Sequence, residues 1–162
     1  DNNQNWIEEN FQIKIFHIPG HTSGHICFYL PKEKMVFSGD TLFSLGCGRI
    51  FEGSHRQMYE SLNKFKRLPA ETKVYCGHEY TKQNLDFCLK YDTKNLELTK
   101  KGNLINKKIK KNLPTIPTTI DDEIKTNIFF RCHNVEIKKA LNEADSSDRE
   151  IFNKLRDLKD NF

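Results

Sequence analysis

No stretch of this 162-residue chain approaches the roughly 18 uninterrupted apolar residues that a membrane-spanning helix needs, so no membrane partner is expected. The opening residues, Asp1 to Asn10, are polar and acidic, unlike the basic-then-apolar start of a secretory signal. A soluble cytoplasmic protein is the expectation, with a mitochondrial form left open. The five cysteines (Cys27, Cys47, Cys76, Cys88 and Cys132) are odd in number and contain no C-x-x-C pair. That argues against a disulfide scaffold and against a thiolate zinc knuckle. Free thiols in a reducing compartment are the simpler reading. No G-x-S-x-G elbow occurs, which weakens a serine-hydrolase reading. Internal repeats and low-complexity tracts are also lacking. The net charge of +4 is mild. It favours small anionic ligands without demanding nucleic acid.

What is present is a threefold pattern. Three apolar runs each end in a glycine followed at once by a metal-competent side chain. Ile13 to Ile18 leads to Gly20-His21, Met35 to Phe37 leads to Gly39-Asp40, and Val74 to Cys76 leads to Gly77-His78. Glycine lets a strand turn sharply, because it has no Cβ to clash when φ is positive. The next side chain then projects past the sheet edge. A lone histidine is more often structural than a ligand, but stations offering His, Asp and His suit a catalytic metal. Asp40 has apolar neighbours on both sides, and a buried carboxylate needs a compensating charge. Its two oxygens can bridge two ions, as in binuclear hydrolytic sites. His25, at the start of the next strand, is expected to hydrogen-bond within the turn. His17, His55 and His133 read as strand, helix-start and surface residues. Cys76 precedes the third turn from within a strand expected to bury it, where a thiol is inert.

The rhythm along the chain predicts α+β architecture. Strands are expected at 12–18, 26–30, 34–38 and 73–76, with Pro31 to Glu33 as a hairpin loop and Gly46-Cys47-Gly48 as an irregular loop. Ser54 with Gln57 forms a capping-box pattern opening a helix. Met58, Leu62 and Phe65 make its buried stripe, and Pro69 stops it. A second helix is expected near 82–91 with Leu85 and Leu89 inward. The pattern changes at about residue 92, dividing the chain into 1–92 and a helical part, 93–162. An amphipathic helix is predicted where lysines between 100 and 111 flank Leu104, Ile105 and Ile109. Pro114 and Pro117 end it and begin an extended linker, followed by helices near 134–142 and 148–160. Aromatic interleaving is lacking in the lysine-rich segment, so no nucleic-acid partner is expected.

Four strings carry a family resemblance: Pro19-Gly-His-Thr-Ser-Gly-His25; Ser38-Gly-Asp-Thr-Leu-Phe43; Gly46-Cys-Gly-Arg49 with Glu52-Gly53; and Tyr75-Cys-Gly-His-Glu-Tyr-Thr81. They resemble glyoxalase II, the hydroxyacylglutathione hydrolases of the metallo-β-lactamase superfamily. The likeness continues through Arg156-x-x-Lys159-Asp160-x-Phe162 and so covers essentially the whole chain. It implies the second half of an αββα sandwich followed by a small all-helical, glutathione-binding subdomain. It also implies zinc, two ions in the intact family, with iron or manganese as alternatives. The resemblance gives His21 to one metal, His78 to the other and Asp40 to both, as the catalytic set. Metal-activated water would attack the thioester of S-D-lactoylglutathione, releasing D-lactate and glutathione. The same resemblance assigns glutathione to Arg49, Tyr80, Arg156 and Lys159. Phe51 stands where some members carry a ligand-contacting tyrosine, so it can pack on the ligand but cannot donate a hydroxyl bond.

The family's T-H-x-H-x-D-H metal motif does not occur in this sequence. Four metal ligands are thus expected to lie outside it, and the chain is expected to be the C-terminal portion of such an enzyme. Little or no activity is then expected of it alone. Its three donors are expected to hold at most one ion, weakly. The alternative is a non-catalytic fragment that binds glutathione-like anions or self-associates through an uncovered sheet.

Overall fold

The computed structural model describes residues 3–8 and 11–162. Its scaffold is a six-stranded sheet with helices on one face. The strands are β1 (Asn3–Glu8), β2 (Phe11–His17), β3 (Ile26–Leu30), β4 (Met35–Gly39), β7 (Lys73–Cys76) and β8 (Thr118–Thr119), adjacent in that order. β1 to β4 form an antiparallel meander. α1 (His55–Phe65) then carries the chain across the sheet, so that β7 lies parallel to β4. Between β4 and α1 the chain makes a short separate hairpin, β5 (Leu42–Phe43) with β6 (Gly46–Cys47). Beyond β7 come α2 (Thr81–Tyr91), α3 (Leu96–Lys110), α4 (Ile120–Thr126), a 3₁₀ turn (Ile128–Phe130), α5 (Val135–Ala140) and α6 (Asp148–Asp160).

Side-chain alternation sets which face is covered. In β3, Cys27 and Tyr29 point into the core while Ile26 and Phe28 point out. In β4, Val36 and Ser38 are buried and Phe37 is exposed. Phe37 stacks on Tyr75 with ring centroids 5.4 Å apart. Strands that are apolar on both faces are the pattern of a sheet built for cover on both sides. Among the described residues only the inner face has it.

The inner face packs on α1 through Met58, Leu62 and Phe65, all fully buried, and the core continues through Leu85, Phe87, Phe129 and Phe152. The capping box predicted at Ser54 forms, and α6 opens with a second. The Ser54 hydroxyl accepts from Gln57 N (3.2 Å) while Gln57 Oε1 accepts from Ser54 N (2.9 Å). Ser147 and Glu150 do the same at α6.

The structure corrects the sequence reading in several places. Gly46-Cys47 is a strand, paired with Leu42-Phe43. Leu89 faces solvent, and α2 buries Leu85, Phe87 and Cys88 instead. On α3, Leu104 and Ile109 are exposed, and the buried stripe is Leu98, Gly102 and Ile105. The segment read as an extended linker contains β8, α4 and the 3₁₀ turn. The C-terminal part is therefore not wholly helical, since it returns a two-residue strand to the sheet antiparallel to β7. Glu123 of α4 explains why. It is fully buried, and its carboxylate accepts from Leu45 N (2.7 Å), Asn127 Nδ2 (2.9 Å), Thr118 Oγ1 (2.7 Å) and Lys101 Nζ (2.8 Å). Four donors on one carboxylate satisfy its lone pairs and tie β8, α3 and α4 to the β5–β6 hairpin. No helix among the described residues is long and apolar enough to cross a membrane.

Candidate metal centre

The three stations converge at one edge of the sheet. β4 ends in Gly39 at φ +51°, a left-handed turn that glycine adopts without penalty, and this turns Asp40 toward β7. Gly20 is also at positive φ, 149°. Gly77 has no positive φ and serves a different purpose, since a Cβ there would collide with Asp40 Oδ1. The third glycine is thus a matter of room, not of turning. Asp40 Oδ2 lies 3.5 Å from His21 Nε2 and 3.6 Å from His78 Nε2. Asp40 Oδ1 is buried with no hydrogen-bond partner.

His21 Nδ1 lies 2.8 Å from the Arg49 carbonyl oxygen. A carbonyl only accepts, so Nδ1 carries the proton and the Nε2 lone pair faces Asp40. Asp40 is braced in turn by its backbone N–H, which donates to His25 Nε2 at 2.9 Å. His25 therefore bonds across to the Asp40 turn instead of within its own. Burial, and secondarily the neighbouring His21, lower its pKa and favour the neutral ring that can accept. His17 bonds the Ser23 carbonyl, His55 pairs with Asp157 at 2.9 Å, and His133 is exposed. Cys76 is half-buried, its thiol facing the His78 carbonyl, and burial raises its pKa.

A carboxylate with one buried, unpartnered oxygen (Oδ1) and the other (Oδ2) between two imidazole nitrogens fits a divalent cation. The geometry is nevertheless lopsided. Among the described residues no three donors gather tightly enough to hold an ion by themselves. The donors form two half-sites, in the order the family resemblance implies. Each has one histidine, and both lean on one carboxylate.

The centre opens into a cleft of about 740 Å³. Tyr80 stacks on His78 (5.0 Å, 19°) and meets Phe43 edge-on at 5.4 Å. Phe51, exposed, lies 5.0 Å from the His21 ring. Across the cleft stand Arg49 and Lys159. Burial, then the positive charges of Arg156 and Arg49, lower the Lys159 pKa. Arg156 lines the cleft but is only 2 % exposed. Its guanidinium donates to the Cys47 carbonyl (2.7 Å), the Gly48 carbonyl (3.3 Å) and Asp160 Oδ1 (2.9 Å). It therefore braces the β5–β6 hairpin, whereas Arg49, loosely paired with Asp160 at 3.6 Å, and Lys159, which donates to the Gln83 carbonyl at 3.3 Å, are the more accessible cations of the cleft. The sequence reading missed Phe43, Gln83, Asn84 and the Asp86 carboxylate in the cleft wall. Phe43 was legible, because it lies in the same string as Asp40.

A mixed sheet whose turns carry His, Asp and His to one edge, above a cleft, defines a protein of the metallo-β-lactamase class. A family model described as the metallo-beta-lactamase superfamily matches residues 7–78. Solved structures with this fold include the BLEG-1 B3 metallo-beta-lactamase, with a TM-score of 0.54 at 27% identity over 80% of this chain and 46% of that one. ETHE1 from Myxococcus xanthus gives 0.59 at 24% identity, over 98% of this chain and 51% of its own, which speaks to the fold alone. A second family model, hydroxyacylglutathione hydrolase C-terminus, matches residues 79–162. The chain belongs to the hydroxyacylglutathione hydrolase family. It is 60% identical over 157 residues to the hydroxyacylglutathione hydrolase of Pelagibacter ubique, covering 97% of this chain and 60% of the relative. It is 46% identical over 151 residues to that of Mesorhizobium japonicum, covering 93% and 59%. The chain thus spans about 60% of the length of these relatives.

Proposed function

We propose that the protein is a metal-dependent thioester hydrolase that cleaves S-D-lactoylglutathione to D-lactate and glutathione, in methylglyoxal detoxification. The observation that carries this reading is the Asp40 carboxylate, with Oδ1 buried and unpartnered and Oδ2 between His21 and His78, in a cleft that Arg49 and Lys159 help to line. His21, Asp40 and His78 would hold the metal, with Asp40 shared between two ions. Zinc suits the donors, and iron or manganese are the alternatives. Bound there, the metal polarises a carbonyl and lowers the pKa of water towards about 7. Arg49 and Lys159 would take the glycine carboxylate of glutathione through charge-assisted hydrogen bonds. Tyr80 would offer its hydroxyl, and Phe51 would pack on the apolar part of the ligand. The Arg156 guanidinium would hold the Cys47–Gly48 wall in place. A thiolate is a good leaving group, so no protein acid need protonate it. Five unpaired cysteines fit a reducing, cytoplasmic location.

A second reading is favoured by the half-sites. A workable zinc site uses three protein ligands plus water, and each half-site here has two. On that reading the 162 residues alone bind glutathione-like anions, or associate through the uncovered sheet face, without turning substrate over. The deciding experiment measures thioester hydrolysis and metal content together. It compares this chain with a version carrying the additional length that the relatives have. Hydrolysis and bound metal only in the longer version support both the activity and the need for further ligands. Full turnover by the 162 residues refutes the second reading, and no hydrolysis by either version refutes the first.

A further inference from the structure

The ring of His21 is aimed by a piece of chain with no regular structure. Its Nδ1–H donates to the Arg49 carbonyl at 2.8 Å, and its own carbonyl accepts from Phe51 N (3.1 Å) and Glu52 N (3.4 Å). Residues 49–52 lie between the β5–β6 hairpin and α1, and Arg49, Phe51 and Glu52 are exposed. The tautomer of His21 therefore depends on where an exposed loop sits. One side chain fixes it. Glu52 Oε2 accepts both the backbone N–H of Ser23 (3.0 Å) and its hydroxyl (2.8 Å), clamping the loop to the turn that carries His21. Beside this clamp the chain closes tightly: a Cβ on Gly53 would come within 2.6 Å of Gly20 Cα.

We propose that Glu52 is a positioning residue: through its two hydrogen bonds to Ser23 it holds the Arg49 carbonyl against His21 Nδ1, so that the Nε2 lone pair is presented to a metal. The inference rests on the reading of His21 as a metal ligand. The partner on the far nitrogen of a metal-binding histidine sets its tautomer, and loss of such a partner typically costs about 10–100-fold in metal affinity. Glu52 acts one step further out, by keeping that partner in place. A surface staple that merely stabilised the loop would lower the melting temperature and leave the imidazole unchanged.

The test reads the imidazole directly. Long-range ¹H–¹⁵N spectra of the metal-free chain, at a pH where His21 is neutral, distinguish the protonated ring nitrogen from the bare one. The native protein is expected to show only the Nδ1–H form. Glu52→Ala is expected to give a mixture of tautomers and to weaken zinc binding tenfold or more in competition with a chelator. Glu52→Gln keeps an amide oxygen able to accept both Ser23 donors, and is expected to retain the native tautomer with less than about threefold loss, by the same scale. Ser23→Ala removes one of the two bonds and is expected to fall between, which keeps the test intact if Glu52→Ala folds poorly. A pure Nδ1–H tautomer in Glu52→Ala, or a Glu52→Gln as impaired as Glu52→Ala, overturns the proposal. If the 162 residues bind no zinc, the affinities are compared in the version carrying the relatives' additional length; no zinc there sinks the metal reading, and the tautomer still decides the role of Glu52.

Discussion

Replacing Glu123 by glutamine should separate the packing of the C-terminal helices from the rest of the fold. The carboxylate is fully buried, and each oxygen accepts two hydrogen bonds. Glutamine keeps the shape but turns one oxygen into an NH₂ group. On the Leu45–Asn127 side two donors would then face a donor; on the Lys101–Thr118 side one would, since the Thr118 hydroxyl can turn to accept. If the amide nitrogen faces Leu45 N and Asn127, Lys101 keeps a neutral acceptor; if it faces Lys101 and Thr118, an ammonium only 14% exposed loses its carboxylate and keeps only the Thr118 hydroxyl. Hydrogen bonds to a charged acceptor contribute about 1.5–3 kcal/mol each, and removing one member of a buried pair costs about 3–5 kcal/mol. We expect a loss of about 3–5 kcal/mol. At about 2–4 °C per kcal/mol for a domain of this size, that is a fall in Tm of about 6–20 °C. Urea denaturation should show a lower midpoint at an unchanged m-value. In a double-mutant cycle with Lys101→Met, the two losses should couple by about 1 kcal/mol or more. A Glu123→Gln cost below about 1 kcal/mol, or additivity within about 0.5 kcal/mol, would refute the account of Glu123 as a shared anchor.

Removing the α1 cap by Ser54→Ala should cost about 1 kcal/mol, read as a small fall in Tm; no change would mean the capping box is ornamental in this context. In the version carrying the relatives' additional length, Gly77→Ala should push a methyl group into Asp40 and abolish metal uptake measured by elemental analysis, and unaltered metal content would disprove that close approach. Burial pushes the thiols of Cys27, Cys88 and Cys132 up to about 12. Because only thiolate reacts, these three should resist a thiol reagent at pH 8 in the folded protein and react on unfolding; rapid native labelling of any of them would contradict their placement. Exposed Ile26, Phe28 and Phe37 lie on the uncovered sheet face. Phe37→Lys should therefore reduce any concentration-dependent association seen by light scattering, whereas an unchanged mass distribution would remove that face from consideration.

β2, β3, β4 and β7 were legible because each is a short β-branched or aromatic run closed by glycine or proline, and α1 and α6 because their caps are written locally; β1, whose sequence is mostly polar, was not. β5 and β6 were not, since a pair of two-residue strands exists only through its tertiary partners. α4 escaped notice behind Pro114 and Pro117, although Thr119 followed by Asp121, Asp122 and Glu123 is an N-cap with an acidic first turn. The exposed Leu104 and Ile109 show the limit of reading an apolar stripe without knowing what it faces. At the candidate site, spacing within the strings led to His21, Asp40 and His78. Nothing local could show that Gly77 is there to make room for Asp40, because that contact joins neighbouring strands that are distant in sequence. Arg156 was equally opaque: a cation on a helix reads the same whether it meets solvent, a ligand or the buried carbonyls it bonds here.

The β5–β6 hairpin is fastened from far along the chain: Leu45 by Glu123, Gly46 by Asn127, and Cys47 by Arg156, at sequence separations of 78, 81 and 109 residues. On a ribosome adding about 5–20 residues per second, Cys47 emerges roughly 5–20 s before the guanidinium that bonds its carbonyl. The strand meander and α1 can assemble during that interval, whereas the wall beside Asp40 must wait. The order of synthesis thus makes the cleft the last part of the molecule to take shape.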